Sequence, residues 1–154
     1  MTLEQLGILT GIGSAILTGL YFIYKGYRDK RNKIREKITG QWGNEGDIVW
    51  SEHETHFVEL VLTIDKEDGE ITGTIKSKHT QEDITSPYCS VHGKLRFRSG
   101  ELKILHVRHG ELLPYGTVRI KFKRKILYWN LKNGVGDFFP KTTKLHRQNT
   151  PSFP

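Results

Sequence analysis

Cysteine is almost missing from this chain. Cys89 stands alone, which excludes an intramolecular disulfide and agrees with a reducing compartment. The motifs of common enzymes are missing too. No Gly-rich phosphate loop, Gly-x-Ser-x-Gly or Cys-x-x-Cys occurs, so nothing marks a nucleotide-hydrolysing, serine-hydrolase or dithiol centre, and no enzyme is expected. His53-Glu54-Thr55-His56 is the one local cluster of metal-binding types, and its spacing matches no strong zinc pattern, so neither a metal nor a cofactor is expected. The paired acids Glu52 with Glu54 and Glu82 with Asp83 sit in loop-like sequence with no apolar neighbourhood to shift their ionisation. After Ile38 no stretch has the pattern of an amphipathic helix, which argues against a βαβ sheet. Charge is absent from Leu6 to Tyr24, the run LGILTGIGSAILTGLYFIY.

That uncharged run is followed at once by KGYRDKRNKIREK. About nineteen residues at roughly 1.5 Å of helical rise cover about 28 Å, close to the hydrocarbon core of a bilayer. The run is apolar around its whole circumference, whereas a surface helix of a small domain keeps one polar face. A cleaved signal peptide carries its cations before the apolar region, and here they all come after it. Residues 6–24 are therefore expected to cross the inner membrane once. By the positive-inside rule the N-terminus lies outside and the rest lies in the cytoplasm. Met1 to Lys37 holds seven Lys/Arg against three acids, and the basic segment 25–37 suits anionic head groups at about 1 kcal/mol per cation without any DNA or RNA partner. Gly7, Gly11, Ala15 and Gly19 recur every four residues and form one small-residue stripe, the pattern that lets membrane helices approach closely. A homo-oligomer assembled through that stripe is expected.

Beyond Lys37 the periodicity changes from helical to alternating. His56-Val58-Leu60-Leu62-Ile64 forms one face of a strand, and Ile71-Gly73-Ile75 one face of the next. Further strands are expected at 41–50, 88–98, 102–109, 117–125, 126–131 and 142–147, with turns at 66–70, Ser99-Gly100, 109–111 and Asn133-Gly134. About eight antiparallel strands in a domain spanning 38–148, with a tail at 149–154, either form two sheets or close on themselves. Closure removes the exposed edges, so a barrel is favoured, with room for side chains or one small ligand.

Gly40-Gln41-Trp42 opens the first strand as a Gly-x-Trp, the tripeptide that starts lipocalin-type barrels, and Arg147 stands near the end of the last strand. The resemblance implies that Trp42 plugs one end of the barrel and that Arg147 packs on its ring as a cation–π contact. The layout as a whole, a membrane helix, a basic linker and a minimal eight-stranded barrel, resembles the transmembrane β-barrel effectors of CBASS, the bacterial cyclic-oligonucleotide anti-phage systems. It has one membrane helix where those effectors usually have two. The resemblance implies a barrel that receives a cyclic dinucleotide and a membrane segment that then oligomerises and breaches the bilayer.

Such a ligand has two phosphates and two bases, so its pocket needs Arg or Lys and flat rings or polar edges. The strands offer Arg108, Arg119, Tyr115, Tyr128, Trp129 and Asn130. In 117–123 alternation sends Arg119, Lys121 and Lys123 to one side and Val118, Ile120 and Phe122 to the other, and the ordinary expectation places the cations in solvent. The strand from Ile126 to Leu131 is mixed on both faces, so its polar members are the ones expected to face a cavity. The competing class is a membrane-tethered, lipocalin-like carrier or sensor of an apolar ligand, for which the barrel face would be uniformly apolar and the stripe would have no use.

Overall fold

The computed structural model describes residues 3–45, 56–79, 84–135 and 137–148, with side chains from residue 16 onward. One helix, α1 (Leu3–Ile38), precedes eight strands: β1 (Gly40–Gly43), β2 (His56–Ile64), β3 (Glu70–His79), β4 (Cys89–Arg96), β5 (Ser99–Arg108), β6 (Glu111–Lys123), β7 (Ile126–Gly134) and β8 (Thr142–Arg147). All neighbours pair antiparallel, and β8 returns to β1, closing the barrel. The expected fold class is therefore present as one N-terminal helix and an eight-stranded antiparallel barrel.

The chain divides into two compact units, residues 1–33 and 34–154. In the first, the large apolar side chains from Ile16 to Tyr24 are 57–70% exposed. Among the described residues no helix is long and apolar enough to cross a membrane. Residues 6–15 of the expected span lie outside those whose side chains are described, and with them Gly7, Gly11 and Ala15. A Cβ on Gly19 would meet nothing within 4 Å, so this position of the stripe is open for a neighbour to approach.

The second unit begins inside the helix, at Ile34 rather than Ile38. Ile34 and Ile38 are buried in the barrel core together with Trp42, so the last helical turn plugs one end. Hydrogen bonds fasten it there. Trp42 Nε1 donates to the Ile38 carbonyl at 2.7 Å, buried Arg35 donates from Nη1 to the Lys66 carbonyl at 2.6 Å, and Arg147 reaches the Thr39 carbonyl at 3.2 Å. Helix C-terminal carbonyls lack partners within the helix; Trp42 supplies a donor to that of Ile38, and Arg147 Nη1 donates to that of Lys37 at 3.4 Å. The described contacts of Arg147 are thus to the carbonyls of Thr39 and Lys37, and Trp42 instead meets the Phe122 ring edge-on at 5.9 Å. Gly40 has φ +139 and lies where a Cβ would come within 3.2 Å of Arg147 Nη2, which explains the glycine of Gly-x-Trp.

Alternation in β2 is complete, with His56, Val58, Leu60, Leu62 and Ile64 buried and the residues between them exposed. Inward side chains from the other strands, among them Ile71, Val91, Leu102, Ile104, Ile120, Leu127 and Trp129, join them in one packed core. At the end away from the helix, Asn44 ties β1 to its neighbours: its amide donates to the His56 carbonyl at 2.8 Å and the Thr143 hydroxyl at 3.1 Å, and its oxygen accepts from Val58 N–H at 2.8 Å.

Two turns fall where no turn residue stands. β4 and β5 are joined by Phe97-Arg98, and β6 and β7 by Arg124-Lys125, with Phe97, Arg124 and Lys125 at positive φ. Gly100 and Gly134, expected in turns, lie in β5 and β7. The expected first strand, 41–50, ends earlier, at Gly43, with Asn44 and Glu45 beyond it; residues 46–50 lie outside the described residues, as do Glu52, His53, Glu54, Glu82, Asp83 and the tail 149–154.

Candidate ligand-binding surface

Cross-strand register aligns side chains into rows around the outside of the barrel. One row runs Lys94, Glu101, Arg119, Asn130 and Thr142, each the partner of the next on β4 to β8. The next runs Arg96, Ser99, Lys121, Tyr128 and Lys144. Four strand spacings of about 4.8 Å make each row roughly 19 Å long. Both point outward, because the residues alternating with them are the buried Leu95, Leu102, Val118, Ile120, Leu127, Trp129 and Leu145.

Two open grooves cross these rows. One, of about 520 Å³, is lined by Lys94, Arg96, Ser99, Gly100, Glu101 and Arg119. The other, of about 410 Å³, is lined by Ser99, Arg119, Lys121, Tyr128, Asn130 and Lys132. They share Arg119 and Ser99. The small residues Ser99 and Gly100 line the first groove among its cations, and Tyr128, half-buried, lines the second together with Asn130. Glu101 is the acid among these side chains, lying between Lys94 and Arg119 in register.

Of the residues singled out from the sequence, the structure brings Arg119, Tyr128 and Asn130 together, on the outer wall. The polar members of β7 were expected to face a cavity; they face outward, since the inward positions of that strand go to Leu127 and Trp129. Trp129 is buried, donates from Nε1 to the Pro140 carbonyl at 2.9 Å and belongs to the core. Tyr115 lies half-buried towards the other end of the barrel, its ring 5.3 Å from His106 and 5.7 Å from Phe138. Arg108 is at the last position of β5, opposite Glu111 across the hairpin. Neither Arg108 nor Tyr115 lines either cationic groove. Lys94, Ser99 and Lys132 had not been singled out. Lys94 precedes the buried Leu95, but Ser99 stands between Arg98 and Gly100 and Lys132 between Leu131 and Asn133, so no alternation with buried apolar neighbours marked them, and only the folded barrel brings them to one surface.

Other chemistry finds little support. Among the described residues there is no group of three metal-ligating side chains. His56, the described member of the His-Glu-Thr-His cluster, is buried and bonds through Nε2 to the Asp137 carbonyl at 2.6 Å. Burial pushes the Cys89 thiol up to about 11, so it stays protonated and a poor nucleophile at neutral pH. Asp65 is held below the usual carboxylate range by the backbone N–H groups of Asp68 and Glu67, and Arg35 adds to this; it serves the β2–β3 turn. Comparison with known proteins returns no matching family model, no matching curated protein and no matching solved structure.

Proposed function

We propose that this chain is a membrane effector of bacterial anti-phage defence: its barrel binds a cyclic dinucleotide on the outer wall of β4–β7, and the bound state controls oligomerisation of the N-terminal helix in the inner membrane. The observation that carries the ligand class is the pair of adjoining cationic grooves that meet at Arg119. Their volumes are in the range of small-molecule sites. Arg96 and Lys94 on one side and Lys121 and Lys132 on the other can meet separate phosphates, with Arg119 between them able to grip a phosphate through two parallel hydrogen bonds. Tyr128 supplies a flat face for a base, and Asn130 and Glu101 supply hydrogen-bonding partners for base edges.

An apolar carrier needs an empty lumen. The inward side chains of this barrel form one packed core among the described residues, so an apolar ligand has no comparable place. The membrane part of the proposal rests on the uncharged run 6–24, on the exposed apolar side chains from Ile16 to Tyr24 and on the cations that follow them. In this reading the barrel is cytoplasmic and the small-residue stripe is where copies meet.

Two experiments separate the parts. Flotation of the full chain with neutral vesicles tests the anchor. Titration with a panel of cyclic dinucleotides, comparing the parent with Arg119→Ala, tests the wall: binding that Arg119→Ala weakens supports the proposal, and binding that is indifferent to Arg119 places the ligand elsewhere.

A further inference from the structure

The rim of the barrel that holds the last helical turn carries a second, separate set of cations. Arg98 sits in the β4–β5 turn and Arg124 and Lys125 form the β6–β7 turn. The two turns are fastened side by side by Phe122 N–H donating to the Arg98 carbonyl at 2.7 Å. Phe97, Arg124 and Lys125 have φ of 56°, 51° and 67°. Asn-Gly, the usual occupant of a two-residue hairpin turn with both central residues at positive φ, adopts that conformation with less strain than Arg-Lys does. Here the fold tolerates two long cationic side chains where a small pair would relieve strain, which points to a use for the charge.

Both Arg124 and Lys125 are exposed, and neither has an ion-pair partner among the described residues. Arg98 lies with its guanidinium carbon 5.5 Å over the Phe97 ring. The described acids of the same rim stand at the β2–β3 turn (Asp65, Glu67, Asp68 and Glu70) and on the last helical turn (Glu36), and three of them have local partners. Asp65 accepts from Glu67 and Asp68 N–H, Asp68 accepts from Glu70 N–H, and Glu36 pairs with Lys66 at 2.7 Å. None of Arg98, Arg124 and Lys125 lines the grooves around Arg119.

We infer that this cationic sector of the rim docks on the phosphate head groups of an anionic bilayer. The partner follows from chain continuity and charge. The rim is where the chain passes from barrel to helix, since Trp42 and Arg147 donate to carbonyls of the last helical turn there and Arg35 of that turn donates to the Lys66 carbonyl, and the helix carries the basic residues 25–37 and the uncharged run. A chain entering a membrane through that helix leaves the barrel at this rim. The inference rests on the anchoring part of the proposed function and is independent of which ligand the wall binds.

The test is partitioning of the full chain into phosphatidylcholine vesicles with and without phosphatidylglycerol. The ratio of the two coefficients is the anionic increment. The deciding variant is Arg124→Asn with Lys125→Gly, which removes two cations while installing the residues the turn favours, so a folding defect does not confound it. Each cation at an anionic surface contributes about fivefold, so the increment falls about 25-fold in this variant. Removing equal charge elsewhere, Lys76→Gln with Lys78→Gln on β3, leaves it at the parent's value. An unchanged increment in the turn variant overturns the inference, and so does an equal fall in both variants, which would reduce the effect to net charge. Tight binding of a nucleic acid duplex that the turn variant abolishes, with no anionic increment in the parent, assigns the rim to nucleic acid instead. Failure to enter neutral vesicles refutes the anchor, while the increment still decides the rim.

Discussion

Trp42 joins the last helical turn to the barrel, and its removal should be felt as two separable losses. The side chain is 1% exposed, meets Phe122 edge-on and donates to the Ile38 carbonyl at 2.7 Å. Trp42→Phe keeps an aromatic ring at the end of the core but leaves that buried carbonyl without its donor, which costs about 1–3 kcal/mol. Trp42→Ala removes the ring as well and costs about 3–5 kcal/mol. Against a typical total of about 5–15 kcal/mol, the second change takes a large share of the stability of residues 34–154. That fragment holds all eight strands and the plugging turn, so it should be soluble and unfold cooperatively. Urea unfolding followed by far-ultraviolet circular dichroism, with parent and variants compared at equal slope, measures both losses. A Trp42→Ala fragment within 1 kcal/mol of the parent would refute the plug, and a Trp42→Phe fragment matching the parent would refute the energetic role of the bond to Ile38.

Three further outcomes are expected. Replacing Gly11 or Ala15 by Leu should leave the chain membrane-bound while abolishing toxicity in cells, because a larger side chain blocks helix approach without reducing apolarity; undiminished toxicity would remove the stripe from the account. Cys89 should react with a thiol reagent at pH 8 only after unfolding, since burial raises its pKa from 9.0 to about 11. A raised thiol pKa stabilises the fold fully below the unfolded value, and that contribution is lost as pH climbs from about 9 to 11; rapid labelling of the native protein would contradict this. Gly93→Ala should destabilise the barrel by about 1–3 kcal/mol, because a Cβ there would collide with the Glu101 carbonyl of β5, and thermal unfolding reads the loss.

Strand content was legible where one face is buried and the other wet. In β2 every second residue from His56 to Ile64 is apolar or histidine, and the barrel buries that set. The turns were harder to read. Ser99-Gly100 and Asn133-Gly134 have turn composition, but Gly100 lies in β5 where a Cβ would come 2.7 Å from the Lys94 carbonyl, so close strand approach and not turning selects the glycine. Conversely Phe97-Arg98 and Arg124-Lys125 turn against local preference, held by the closed ladder on either side. The site was half legible for the same reason. Alternation marked Arg119 and Lys121 as outward, as the ordinary expectation had it, yet mixed polarity in β7 suggested a cavity. In a barrel this small Leu127 and Trp129 fill the inside, and Tyr128 and Asn130 go to the wall. Arg108 and Tyr115 satisfied the same residue-type criteria as Arg119, but position along the strand, fixed only by register, separates them from the grooves.

The wall around Arg119 is proposed to bind a ligand bearing two phosphates. Titration calorimetry of residues 34–154 with cyclic dinucleotides, run in parallel on the parent, Arg119→Ala and Arg108→Ala, tests it directly. The expected result is saturable binding to the parent, a loss of about 1.5–3 kcal/mol, tenfold or more in affinity, for Arg119→Ala, and little change for Arg108→Ala. No binding of any cyclic dinucleotide, or binding that Arg108→Ala weakens and Arg119→Ala spares, would contradict it.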